Sequence, residues 1–249
     1  EMGFAINNRR RGGSGLPFTA FRGNHTIPMA TVRILVTGAT GFLGSRVVRT
    51  LRERGDVVLT SSRTNGDAVV DLTTPGMVAA VLQATAPDLV LNLAALARVD
   101  ECQLHPARAN AINTNVPWLL AQRFGARLLH VSTDLVFDGR SAPYSEESTP
   151  APLSVYGATK AEGEELVLRH GGRVVRLPLL FGPDDGGRGA TASLRRAIET
   201  GAVASLFTNE YRTPLHADDA AAALAELVLD PDSPPIVHVP GPERCSRWE

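Results

Sequence analysis

No stretch of this chain narrows its fold more than Val32-Arg33-Ile34-Leu35-Val36 running directly into Thr37-Gly38-Ala39-Thr40-Gly41-Phe42-Leu43-Gly44. The first five residues form an apolar run of strand length. Phe42 to Arg54 then places Phe42, Leu43, Val47, Val48 and Leu51 at close to helical spacing. Between the two, glycines at 38, 41 and 44 permit a tight turn, close approach of a pyrophosphate and close helix packing. The exposed N–H groups and dipole at the start of a helix favour such an anion. The spacing is G-x-x-G-x-x-G rather than G-x-G-x-x-G, and a glycine-rich turn can also bind nothing. A strand before it and a helix after it argue for a dinucleotide.

The same alternation continues along the chain. Strands are expected at Val57-Val58-Leu59, Asp88 to Asn92, Arg127 to Val131, Arg173 to Leu177 and Ile236 to Val239. Helices are expected over Met77 to Ala86, Ala107 to Phe124, Val155 to His170, Ala192 to Glu199 and Ala217 to Leu229. Such alternation predicts an α/β fold of the Rossmann type, a doubly wound parallel sheet covered on both faces. Ligands of such sheets bind beyond the carboxyl ends of the strands, where Gly38, Asn92 and Thr133 fall. Asp184 to Gly189 reads as irregular, and Val203 to His216 as extended chain.

Residues 1–28 differ, with Arg9-Arg10-Arg11, Gly12-Gly13 and no periodicity, and they are expected to be a disordered leader. Residues 29–182 form the expected dinucleotide-binding domain, and 183–249 substrate-lobe segments interleaved with the last core helix and strand. A cytoplasmic protein is the expectation, with plastid or mitochondrial import the alternative should the Arg-rich leader be a transit peptide. The formal net charge of -1 points to neither nucleic acid nor an anionic membrane. Cys102 and Cys245 match no metal spacing, and no apolar run reaches the roughly 20 residues that span a bilayer.

Of the 25 basic residues, 24 are Arg, and Lys160 is the single lysine. An ammonium is a compact point charge, unlike the planar guanidinium used everywhere else. Tyr156 lies four residues earlier, so a helix puts phenol and ammonium on one face. A cation beside a phenol favours the phenolate, which makes Tyr156 a candidate general acid/base with a lowered pKa. By itself the pair could equally be two surface residues on a solvated helix. At the end of the second strand, Thr60-Ser61-Ser62-Arg63 offers hydroxyls and a guanidinium where an NAD site would show an acid. Ser62 and Arg63 suit a 2′-phosphate, so NADP is expected, with NAD the alternative.

Thr37–Gly44, Asn92-Leu93-Ala94-Ala95, Ser132-Thr133-Asp134 and Tyr156-x-x-x-Lys160 together resemble an extended short-chain dehydrogenase/reductase. More narrowly, His130 to Gly139, Val155 to Glu162 and Gly241 to Arg247 resemble the dTDP-4-dehydrorhamnose reductase branch. The resemblance implies that Tyr156 protonates a carbonyl oxygen as hydride arrives from the nicotinamide. Lys160 would hold the nicotinamide ribose, and Thr133 would hydrogen-bond the substrate oxygen, with Ser132 as the fallback. Gly38, Thr40, Gly41, Phe42, Leu43 and Gly44 would cradle the pyrophosphate. Asp71 and Leu72 would sit by the adenine, Ala94 and Ala95 would wall the cofactor, and Asn113 would support the active-site helix. Each has a bland counterpart: Asp71 as a helix N-terminal acid, the alanines as packing, Asn113 as an exposed polar residue.

Arg212 would meet a substrate phosphate or simply form a surface salt bridge. The family continues where this chain stops at Ser246-Arg247-Trp248-Glu249, so a small, truncated substrate lobe is expected. The implied activity is NADP-dependent reduction of a keto group on a nucleotide-linked deoxysugar. The partners are the small-molecule substrate and, where the chain assembles, a second copy in a homodimer. The branch also contains the non-catalytic regulatory subunit of methionine adenosyltransferase, which is the rival reading. A dehydratase on this fold would need an acid after Thr133 and a Glu after that; Asp134 supplies the first, but Leu135 stands in the second position.

Overall fold

The computed structural model describes residues 2–3, 32–183, 190–203, 206–246 and 248. Most of the expected leader and the irregular segment 184–189 lie outside these residues. Seven strands form the main sheet: β1 (Arg33–Thr37), β2 (Val57–Ser62), β3 (Ala68–Val69), β4 (Leu89–Asn92), β5 (Leu128–Thr133), β6 (Arg173–Leu177) and β10 (Ile236–His238). Their order is β10-β6-β5-β4-β1-β2-β3, and every pairing is parallel. The chain winds outward from β1 through β2 and β3, then crosses to β4 on the other side. That reversal makes the crevice above β1 and β4 the place where such sheets take a ligand.

The strands are apolar because both faces are covered. Ile34, Leu35 and Val36 are each 0% exposed, and each such side chain contributes about 1.5–3 kcal/mol when fully buried. One face packs on α1 (Phe42–Glu53) and α8 (Ala217–Leu227), through Val47, Leu51, Ala221 and Leu224. The other packs on α2 (Met77–Thr85), α5 (Val116–Phe124) and α6 (Val155–Arg169), through Val81, Leu120 and Val167.

The helix expected over Ala107 to Phe124 runs from Pro106 to Phe124 with a π turn in its middle. Val99–Leu104 forms α3 and Pro106–Asn110 forms α4, followed by a π turn at Ala111–Asn115 before α5. Pro106 suits a first helical turn because it lacks an N–H, so it starts α4 and ends α3. The π turn centres on Asn113, whose amide binds both the loop after β4 and α6.

Beyond β6, β7 (Leu180–Phe181) pairs in parallel with β9 (Leu215–His216). The helix α7 (Ala190–Thr200) follows β7. In the segment expected to be extended, β8 (Glu210–Arg212) pairs antiparallel with β11 (Cys245–Ser246) and in parallel with Met2–Gly3.

Candidate active site

The turn after β1 is shaped by contacts that leave no room for a side chain. Gly38 has φ +65°, and a Cβ there would lie 2.9 Å from the Ala94 nitrogen. A Cβ on Gly44 would stand 2.2 Å from the Gly38 carbonyl oxygen. The first and third glycines therefore press α1 onto its own turn and the turn onto the loop after β4. The first turn of α1 has no side-chain cap and no acidic residue, so its N–H groups and dipole face outward uncompensated. This cradle fits a dinucleotide pyrophosphate. Thr40 is exposed while Phe42 and Leu43 are half-buried, and the Arg46 guanidinium lies over the Phe42 ring at 4.3 Å.

The helix α6 brings the opening pair to the same edge. Ser154 caps it by accepting from the Gly157 N–H at 3.1 Å, which starts the helix at Val155 and puts Tyr156 in its first turn. Gly157 lets α6 approach the turn after β5: a Cβ there would be 2.3 Å from the Leu135 carbonyl oxygen. Tyr156 consequently meets the end of β5, where the Thr133 hydroxyl hydrogen-bonds its phenol. The Thr133 oxygen also accepts from the Leu135 N–H at 3.2 Å and lies 3.3 Å from an Asp134 carboxylate oxygen.

The expected lowering of the tyrosine pKa does not occur. Burial pushes the phenol up to about 12, and the Asp134 carboxylate adds to this, against the Thr133 hydrogen bond and the Arg212 charge. Lys160 is bonded to β5. Its Nζ donates to the Val131 carbonyl at 2.7 Å and lies 3.0 Å from His130 Nε2. Only 1% exposed, Lys160 is pushed down to about 8 by burial, with Glu164 pulling the other way. Desolvation disfavours both the phenolate and the ammonium, and for each group it is the largest cause of the shift.

Residues 32–249 match the family described as the RmlD substrate binding domain. The chain belongs to that family. It is of the extended short-chain dehydrogenase/reductase type, the class of nicotinamide-dependent oxidoreductases. Methionine adenosyltransferase 2 subunit beta of Xenopus laevis is 32% identical over 231 residues, covering 87% of this chain and 69% of that protein. The probable low-salt glycan biosynthesis reductase Agl14 of Haloferax volcanii is 36% identical over 212 residues, covering 78% and 69%. Among solved structures, dTDP-4-dehydrorhamnose reductase of Bacillus anthracis in complex with NADP superposes with a TM-score of 0.77 at 26% identity, covering 88% of this chain and 77% of that one.

The remaining residues expected at an RmlD-type site fall into two groups. Ala94 and Ala95 line the mouth of the loop after β4, half-buried and exposed respectively. Asn113 is fully buried and donates to Thr159 Oγ1 at 3.2 Å, tying that loop to α6. At the β2 end, Ser62 accepts from the N–H groups of Thr64 and Asn65, while Arg63 is exposed. The Asp71 carboxylate accepts from the Thr73 N–H and hydroxyl, at 2.9 and 2.6 Å, above the buried Leu72. Arg212 is 5% exposed and grips Asp134 with two nitrogens, Nε at 2.7 Å, rather than lying on the surface. Sequence reading placed Asn92 at a strand end, but did not reveal that it bonds to His130, that His130 meets Lys160, or that Asp134 pairs with Arg212. Among the described residues no helix is long and apolar enough to cross a membrane.

Proposed function

We propose that this protein is an NADP-dependent reductase of a keto group on a nucleotide-linked deoxysugar. The observation that supports it most directly is the Tyr156 phenol bonded to Thr133 at the carboxyl end of β5, beside the glycine cradle. Reduction puts negative charge on a carbonyl oxygen, and donors already aimed at it lower the barrier. The cofactor supplies the hydride. Tyr156 gives the proton, and a phenol at about 12 is fully protonated at neutral pH, the form that reduction consumes. Thr133 donates the second hydrogen bond, and Lys160 stands one turn along α6 where the nicotinamide ribose would lie. The named reductases among the relatives, and the NADP in the Bacillus anthracis protein, support this reading.

A regulatory subunit that binds NADP without turnover is the second reading, favoured by the likeness to methionine adenosyltransferase 2 subunit beta. Incubation with NADPH and dTDP-4-dehydrorhamnose, followed by loss of nicotinamide absorbance, separates the two. Turnover that Tyr156→Phe abolishes is the expected result. Saturable NADPH binding with no turnover on any 4-keto sugar nucleotide would establish the regulatory reading instead.

A further inference from the structure

The turn that follows Thr133 is held by a residue from much later in the chain. Asp134 opens a single 3-10 turn, Asp134–Val136, and its carboxylate is 1% exposed. A buried carboxylate needs a partner, because its lost hydration is otherwise uncompensated. The partner is Arg212 of β8, 78 residues on, whose Nε and Nη2 each reach a different carboxylate oxygen. Its Nη1 lies 3.3 Å from Glu210 Oε1. Thr133 Oγ1 sits 3.3 Å from the Asp134 oxygen that Nη2 holds, and the Tyr156 phenol is hydrogen-bonded to Thr133. The side chains thus run in series, Arg212–Asp134–Thr133–Tyr156, and end on the phenol.

Two observations set this pair apart from an ion pair that only holds the fold. The first is the place of β8. Among the described residues β8 pairs with β11 and with Met2–Gly3, in a three-stranded sheet separate from the main one. Strand pairing therefore does not set its distance from β5, and the guanidinium supplies a polar tie between them. A fork on both oxygens fixes the plane of the carboxylate as well as its distance, which a single ammonium contact does not. The second observation is charge. Burial does most to raise the phenol, and the Thr133 hydrogen bond lowers it; after these, the Asp134 carboxylate raises it and the Arg212 guanidinium lowers it. Tyr156 therefore faces two charges of opposite effect. Asp134 without its partner would hold the phenolic proton more tightly still.

We propose that Arg212 is a positioning residue: its two-nitrogen grip on Asp134 holds Thr133 against the Tyr156 phenol and offsets the carboxylate charge there. This role rests on the reading of Tyr156 and Thr133 as the donors to a carbonyl oxygen. It assigns Arg212 to those donors rather than to a substrate phosphate, since Nε, Nη1 and Nη2 already face carboxylate oxygens. Arg212 comes from the segment beyond β6, so a displacement of β8 reaches the proton donor through this series of contacts. Cys102 of α3 is the other titratable group acting on the phenol, and Lys160 stands one turn further along α6. Both stay in place in every variant that tests the role.

Biosynthetic 3-fluorotyrosine labels the three tyrosines, and Tyr156→Phe assigns the resonance of residue 156. The fluorinated phenol is more acidic than that of tyrosine, so fluorine-19 spectra follow its titration at lower pH, in the cofactor-free protein. Asp134→Asn leaves the guanidinium unbalanced, and the midpoint falls by about one pH unit, a tenfold change in proton affinity. Arg212→Gln leaves the carboxylate unbalanced, and the midpoint rises; either variant suffices should the other not fold. Arg212→Lys keeps the charge and loses the fork. Its midpoint stays near wild type, while kcat with NADPH and dTDP-4-dehydrorhamnose falls about 10- to 100-fold at unchanged NADPH affinity. A midpoint unmoved, or moved the other way, in folded Asp134→Asn or Arg212→Gln would overturn the proposal, as would wild-type kcat in Arg212→Lys. The titrations need neither substrate nor cofactor. A wild-type protein without turnover therefore ends the reductase reading and leaves the role of Arg212 to be decided by the fluorine spectra.

Discussion

Lys160 and Glu164 lie one turn apart on α6, exposed by only 1% and 2%, yet they are treated in opposite ways. Glu164 accepts three hydrogen bonds from Arg176, at 2.7 to 3.1 Å, and the guanidinium is backed by the Phe137 ring at 5.0 Å. Lys160 has no carboxylate bonded to it. Its neighbours are a carbonyl and an imidazole, and burial brings its pKa down to about 8. A buried charge that serves structure is paired, because an unpaired one costs several kcal/mol. A buried base left unpaired adjusts its proton affinity instead, and such groups concentrate at functional sites. The contrast sets a paired charge on one turn of α6 beside an unpaired base on the turn before it.

The largest test of this division is kinetic. Tyr156→Phe should lower reductase turnover by about 10²–10⁴-fold, the range of general acid–base catalysis, with NADPH binding and thermal unfolding little changed. Retained turnover would remove Tyr156 from the mechanism. Glu164→Ala should show the reverse pattern. Stranding Arg176 is expected to cost about 3–5 kcal/mol in urea unfolding, with turnover per folded molecule preserved. Lys160→Met should lose turnover but change stability by only about 1 kcal/mol, since relief of a desolvated amine offsets the lost hydrogen bonds. Should Lys160→Met instead cost as much stability as Glu164→Ala, the division of the helix fails.

A pH series sharpens the same comparison. His130 is depressed by burial, and His238, beside Arg176, is pushed down to about 4 by burial, so both stay neutral when folded while the unfolded chain takes up protons below about 6.5. Stability therefore falls as pH drops through that window, by up to about 1.4 kcal/mol per pH unit per group. Lys160 acts in the alkaline range. The unfolded lysine keeps its proton to 10.5 and the folded one releases it near 8, so stability rises with pH between those values. Urea unfolding across pH 4–10 measures both slopes, and a flat profile would refute them. The smallest effect is at the β2 end: Arg63→Ala should weaken NADPH relative to NADH by about tenfold, one charge-assisted contact. An unchanged ratio would take Arg63 out of cofactor choice.

Much of this was legible in the residues. Apolar strands bounded by glycine and polar turns located β1, β4, β5 and β6, because a strand buried on both faces is mostly apolar. The glycine turn was legible because only glycine tolerates backbone atoms at 2.2–2.9 Å from a Cβ position. The π turn inside the expected helix at 107–124 was not, since Asn113 has its partners at Leu96 and Thr159, 17 and 46 residues away. Arg212 had two readings because nothing near it in sequence reveals Asp134, 78 residues upstream.

From its residues alone this chain is an α/β fold with a dinucleotide turn and a Tyr156–Lys160 pair on one helix. Those features depend on local spacing, on glycine's missing side chain and on the apolar character of buried strands. Only the tertiary structure decides what the pair experiences. Strand register brings Thr37, Asn92 and His130 into one buried row, across separations of 55 and 38 residues, and sets His130 against Lys160. Protonation depends on desolvation and on the direction of neighbouring hydrogen bonds, and both are set by packing rather than by position along the chain.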